Sequence, residues 1–359
     1  MSKLTYSDPR YHFFETFDSK TGFTIRSNVY DRNGKDTGKD AFRRSFPQLI
    51  DVGIMGHCAS AGVCPVGCYQ GGAAKACANM SLKDFQRIAN ECEGKTFQFA
   101  LGGRGNPNQH EDFEEILECC ADSNIVPNYT TSGIQLTQKQ VDLTKKYCGA
   151  VAVSDYSFDF TKRAIEMFIA AKCTTNIHFV LSNRSIDRAL DILEHPESYY
   201  HGINAIIFLL HKPVCLGKVK DVINPKDPKI VKFFDLVDKN ASKLPFQIGF
   251  DACSIPGIVN FTHKIMPEST DTCEGARFSC YITPDMIMTP CSFDQALNYG
   301  VSLDNMTIEQ AWNSDEFGAF RYKLAHSCPH CKNRDYCMGG CPLQRTIVLC
   351  NSDKKKLIA

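Results

Sequence analysis

The chain has 359 residues, with 43% hydrophobic and 22% charged side chains, enough for one large domain with an appendage or for two domains. Forty basic and forty acidic residues cancel, and no single-sign run stands out beyond Lys354, Lys355 and Lys356, which excludes nucleic acid as the main partner because phosphate binding needs a concentrated basic surface. The N-terminus lacks a signal-peptide core and no stretch reaches the roughly 18 apolar residues of a membrane span, so the chain reads as cytoplasmic with no membrane partner.

Residues 1–47 read as a lead-in of short strands with turns at Thr21-Gly22 and Asn33-Gly34. From 48 to 250 seven apolar runs follow one another: 49–54, 97–101, 125–129, 150–153, 176–181, 205–210 and 246–250. Amphipathic segments separate them, the first opening at Ser81 as N-cap ahead of Asp84. Repeated strand–helix–strand order requires crossover connections and a mostly parallel sheet. The expected fold is therefore α/β, a partial (β/α)6-type parallel barrel, whose ligands bind at the carboxyl ends of the strands. Residues 251–359 change texture, with hairpin signals, one helical stretch and nine of the nineteen cysteines, and form a separate C-terminal region.

Nineteen cysteines without an export signal point to metal rather than to disulfides, since the cytosol keeps thiols reduced. Cys58, Cys64 and Cys68 share one loop after the first strand, with Tyr69 directly behind. Three close thiolates can hold three irons of a cubane [4Fe–4S] cluster and leave the fourth iron open to a chelating substrate. This loop resembles the cluster-binding loop of radical S-adenosylmethionine enzymes, with C-x5-C-x3-C in place of the common C-x3-C-x2-C. After the second strand the family has a Gly-Gly-Glu-like turn for the methionyl amino group. Here it reads Gly102, Gly103, Arg104, so contact would rest on the glycines and the turn backbone. The resemblance extends the cofactor-binding set to Tyr69 and to the strand-end hydroxyls Thr131, Ser132 and Ser154, with Thr130 and Asp155 nearby. His178 reads as a satisfied core residue, and His211-Lys212-Pro213 marks the end of the sixth strand.

Near the C-terminus Cys328, Cys331, Cys337 and Cys341 are separated by two, five and three residues, and Cys350 follows. The run resembles the SPASM extension of radical S-adenosylmethionine enzymes, which binds two auxiliary clusters, and Cys273 and Cys291 match that extension's hairpin. The family's hairpin glycine is Met286 here. Carried over, Cys328, Cys331, Cys337 and Cys350 would close one [4Fe–4S] cluster. Cys273, Cys291 and Cys341 would hold the other, with Cys253 preferred over Cys280 as fourth ligand. Cys77, nine residues beyond Cys68, competes for a place in the first ligand set; it and Cys92, Cys119, Cys120, Cys148 and Cys173 are left without a role, and most read as buried thiols. Cys215, after the sixth strand, is a candidate hydrogen donor set against a structural thiol.

The resemblance implies three [4Fe–4S] clusters and S-adenosylmethionine as cofactors, and reductive cleavage to a 5′-deoxyadenosyl radical. It implies a ribosomally made precursor peptide as substrate, modified by a thioether or carbon–carbon side-chain cross-link, and an electron donor such as flavodoxin or ferredoxin. The alternatives are an anaerobic sulfatase-maturating enzyme that forms formylglycine, and a non-catalytic iron–sulfur electron carrier. Residues 1–47 leave little room for a peptide-recognition domain, so a leader peptide would meet the core or a partner protein.

Overall fold

The computed structural model describes residues 3–61, 67–71, 76–266 and 270–350. A small antiparallel sheet comes first, made of β1 (Lys3–Asp8), β2 (Phe13–Asp18) and β3 (Thr24–Arg26). Alternation along β2 buries Phe13, Glu15 and Phe17 on one face.

Seven parallel strands follow: β4 (Leu49–Met55), β5 (Gln98–Gly103), β6 (Val126–Thr131), β7 (Ala150–Ser154), β8 (Thr175–Leu181), β9 (Ala205–Leu210) and β10 (Gln247–Phe250). They coincide with the seven apolar runs. The crossovers carry α1 (Leu82–Cys92), α2 (Phe113–Asp122), α3 (Gln138–Tyr147), α4 (Asp159–Ala170), α5 (Ile186–Glu194) and α6 (Pro228–Asn240). The α/β barrel expectation holds, with six strand–helix units and a seventh strand.

Local chemistry sets these elements. Ser81 Oγ accepts the Asp84 N–H at 3.1 Å and starts α1, and Thr137 with Gln140 forms a reciprocal capping box on α3. Along α1 the spacing of Phe85, Ile88, Ala89 and Cys92 gives one buried stripe. It joins the core that holds Ile50, Val52 and Ile54 of β4, each fully buried and worth roughly 1.5–3 kcal/mol of transfer free energy, and Phe85 meets Phe99 of β5 edge to face.

The sheet does not stop at residue 250. Its order is β10-β9-β8-β7-β6-β5-β4-β11-β12-β13, where β11 (Ser279–Ile282), β12 (Ile287–Thr289) and β13 (Val301–Ser302) come from the C-terminal region. β11 runs parallel to β4, with Ser279 opposite Leu49 and Ile282 opposite Val52. The remaining helices are α7 (Ile255–Phe261), α8 (Ile308–Trp312), α9 (Asp315–Ala325) and α10 (Arg334–Cys337). Among the described residues no helix is long and apolar enough to cross a membrane.

Candidate functional site

The cysteine-bearing loop leaves β4 and returns beside its own origin, because the Cys77 N–H donates to Gly56 O at 3.0 Å and the Met80 N–H to Ile54 O at 2.9 Å. Cys58 and Cys68 are half-buried in it. Cys64 lies outside the described residues. The turn after β5 sits directly against this loop, with the Arg104 N–H on Met55 O at 2.7 Å. Gly103, at φ +113°, lies so close to the Met55 backbone that a side chain there would overlap it. Gly102 instead faces open space, leaving its backbone free for close approach by a ligand.

Arg104 turns elsewhere: its Nη1 donates to Gln70 O at 3.2 Å and ties down the far end of the cysteine loop. Tyr69 packs toward the C-terminal region. Its ring lies 4.1 Å from that of Phe293, and its hydroxyl is 3.4 Å from Ser292 Oγ and accepts from Gln70 Nε2 at 3.0 Å. Thr131 is buried and its Oγ1 accepts the Gly133 N–H at 3.1 Å, the bond of a turn residue. The Ser132 N–H donates to Asn106 Oδ1 at 2.8 Å. Ser154 ends β7 half-buried, and the neighbouring Asp155 carboxylate is engaged by Arg188 at 2.7 Å and by the Tyr200 hydroxyl. His178 Nδ1 is 3.3 Å from Thr130 Oγ1, and burial lowers its pKa to about 4, so the ring is neutral near pH 7.

A second group of cysteines gathers where β10 ends. Cys253 follows that strand, and its thiol hydrogen-bonds with Cys341 and interacts with Cys273 and Cys291. Cys273 and Cys291 flank the β11–β12 hairpin, yet β10 is an edge strand and β11 stands seven strands away. The sheet must therefore curl to bring them together. Burial pushes Cys273 up to about 12 and raises Cys291. Backbone N–H groups are already aimed at the sulfurs, from Gly275 to Cys273, from Phe293 to Cys291 and, at 3.3 Å, from Gln344 to Cys341. Such donors favour thiolate, the form that binds iron.

Cys328, Cys331, Cys337 and Cys350 form the third group, around a cavity of about 220 Å³. Burial pushes Cys337 up to about 11, while the Gly339 N–H donates to its sulfur. Met338, Gly339 and Gly340 all have positive φ, and a side chain at Gly339 would come within 3.0 Å of the Cys328 sulfur. Among the described residues no three His, Cys, Asp or Glu side chains converge tightly on one ion. Four sulfurs around a void, with N–H donors directed at them, fit a cluster of several irons.

The SPASM family, an iron–sulfur cluster-binding domain, matches residues 273–337. The match takes in Cys273, Cys291, Cys328, Cys331 and Cys337 and stops short of Cys341 and Cys350. No curated protein sequence matches the chain. Among solved structures, Streptococcus suis SuiB bound to S-adenosylmethionine superimposes with a TM-score of 0.72 at 15% identity, covering 98% of this chain and 99% of its own. SuiB bound to precursor peptide SuiA gives 0.71 at 14% identity over 98% of both chains. Native anSMEcpe with bound AdoMet and Cp18Cys peptide gives 0.62 at 18% identity, over 86% of this chain and 91% of its own. The chain shares the fold of SuiB and anSMEcpe.

The other cysteines fall outside the second and third groups. Cys280 is buried on β11 within reach of Cys92 and Asp51, away from Cys253. Cys120, Cys148 and Cys173 neighbour one another on the helical side of the barrel. Cys215 is exposed, with its sulfur 3.9 Å from Gln295 Oε1, and the next residue's N–H donates to Cys68 O at 3.3 Å. Its loop thus bridges the first cysteine loop and the segment following Cys291. Phe293 and Asp251, which shape this junction, belong to no sequence motif; each became visible only through its contacts.

Proposed function

We propose that this protein is a radical S-adenosylmethionine enzyme that modifies a peptide, installing a thioether or carbon–carbon side-chain cross-link in a ribosomally made precursor. Residues 48–250 supply the barrel and 251–359 the auxiliary clusters, with 1–47 as lead-in. Cys58, Cys64 and Cys68 hold the cluster with an open iron. Cys253, Cys273, Cys291 and Cys341 hold the first auxiliary cluster, and Cys328, Cys331, Cys337 and Cys350 the second. The observation that carries the reading is the meeting of the Cys68 loop with the Cys291 segment through Tyr69, Phe293 and Ser292, in a fold shared with SuiB and anSMEcpe.

A cluster held by Cys58, Cys64 and Cys68 would supply the electron for reductive cleavage of S-adenosylmethionine, and with it the hydrogen-abstracting power the modification needs. The chain's own residues bind and shield. Gly102 leaves room for the cofactor backbone-first, while Gly103 and Arg104 fix the cysteine loop against β5. The neutral His178 and Thr130 present polar groups without net charge to the barrel interior. Four ligands on each auxiliary cluster suit electron transfer rather than substrate binding, and a flavodoxin- or ferredoxin-like donor in a reducing, cytoplasmic setting supplies the first electron.

Anaerobic reconstitution tests this. Full loading gives about twelve irons and twelve sulfides per chain, together with 5′-deoxyadenosine that vanishes in the Cys58→Ala, Cys64→Ala, Cys68→Ala triple variant. Zinc in place of iron, or iron without deoxyadenosine, overturns the reading. The likeness to peptide-bound anSMEcpe supports one second reading, formylglycine formation from Cys or Ser, which the product mass of matched peptides distinguishes from a cross-link.

A further inference from the structure

Lys212 follows β9 and is buried, its side chain only 3% exposed. A lysine ammonium is seldom buried unless paired, because leaving water costs several kcal/mol per ion. Here its Nζ donates to Leu210 O at 3.0 Å and to Asp251 Oδ2. Asp251 is itself fixed, accepting the Ser254 hydroxyl at 2.7 Å and the Leu210 N–H at 3.2 Å. The ammonium also stands 4.4 Å from the centre of the Phe293 ring, the ring on which Tyr69 packs. Asp251 lies two residues before Cys253 and Phe293 two residues after Cys291, so the ammonium contacts both segments that carry these sulfurs. The ion pair with Asp251 keeps the buried ammonium charged. Asp251 keeps the lysine in place and stands opposite it in sign.

We infer that Lys212 is a positioning charge that sets the reduction potential of the cluster held by Cys253, Cys273, Cys291 and Cys341, with Asp251 as its counterweight. A cluster that gains an electron becomes more negative by one charge, and a fixed cation in a water-poor site stabilises that form. Lys212 therefore raises the potential of this cluster and makes it a better acceptor. Through Phe293 and Tyr69, the same lysine sits at the junction with the Cys68 loop. The inference rests on the proposed function, because it needs the cluster.

Redox titration followed by electron paramagnetic resonance, on the anaerobically reconstituted full chain, tests it. In K212M the midpoint of this cluster shifts to lower potential. In K212R, which keeps the charge, the midpoint stays near wild type. In D251N it shifts the opposite way, to higher potential. A purely structural role does not predict shifts of opposite sign from the two halves of one ion pair. Equal iron content with unmoved midpoints in K212M and D251N overturns the inference and leaves the proposed function standing. If K212M loses iron, D251N decides alone, and an unmoved or lowered midpoint there overturns the inference. A wild-type protein that takes up no iron at this site overturns both.

Discussion

Met286 occupies the turn between β11 and β12 with φ +60°, a left-handed conformation that costs a non-glycine residue roughly 1–2 kcal/mol. The turn forms nonetheless: the Met286 N–H donates to Thr283 O at 3.0 Å and its carbonyl accepts the Leu303 N–H at 2.8 Å. What holds it is burial, since the side chain is only 6% exposed within the core. Met286→Gly thus sets two effects against each other. Relief of backbone strain gains about 1–2 kcal/mol, and deletion of a buried methionine costs about 2–5 kcal/mol. The loss wins, and urea titration of M286G should show net destabilisation of about 1–3 kcal/mol. An equal or higher midpoint would mean that strain outweighs packing at this turn. At this scale the cysteines were legible, because ligand spacing is itself a sequence pattern. Tyr69 was legible only as an aromatic beside a cysteine, and its packing on Phe293 was not. Arg104 was legible as a departure from an acidic position, but its bond to Gln70 O depends on a loop whose path the sequence does not state.

The N-terminal sheet is fastened to the rest by charge. Glu15 on β2 has a fully buried side chain, 3.1 Å from Arg26 and 3.2 Å from the equally buried Arg44. Arg26 also reaches Asp271 and Glu274 at 2.8 Å and lies 3.8 Å over the Phe278 ring, so this sheet grips the root of the β11 hairpin beside Cys273. Burial pushes the Glu15 carboxyl up to about 7, against the pull of Arg44 and then Arg26. An acid whose folded pKa is raised holds its proton longer when folded than when unfolded. Its stabilising contribution is complete below the unfolded value of 4.5 and is lost as pH rises through about 7. Between those limits Glu15 alone removes up to about 3 kcal/mol. Thermal unfolding followed from pH 4.5 to 7.5 should therefore show a steeper fall in stability for the wild type than for Glu15→Gln, and parallel curves would refute this. The seven strands and their helices were legible because buried strands and amphipathic helices each leave a local period. The β11–β4 pairing was not, since parallel neighbours so distant in sequence leave no local trace, and the Arg26–Glu274 clamp was hidden for the same reason.

Across the whole molecule, the second and third cysteine groups each join segments far apart in sequence. Cys253 ends the barrel and Cys341 comes from near the C-terminus, while Cys328 and Cys350 close the other group around its cavity. A ligand that binds the folded chain and not the unfolded one adds its binding free energy to stability. Loaded protein should accordingly unfold at a clearly higher temperature than protein stripped of iron by a chelator, and full loading should correspond to about twelve irons. The choice between Cys253 and Cys280 can be read from the same preparation. Cys253 hydrogen-bonds with Cys341, whereas Cys280 is 2% exposed in the β11 strand near Cys92. Cys253→Ala should lose up to about four irons, together with part of the thermal gain on loading. Cys280→Ala should keep its full iron content and lower the stability of loaded and stripped protein alike, by about 1 kcal/mol, as removal of a small buried group does. The reverse pattern, with iron lost from the Cys280 variant and retained by the Cys253 variant, would transfer the fourth ligand to the strand and break the electrostatic link between Lys212 and that cluster.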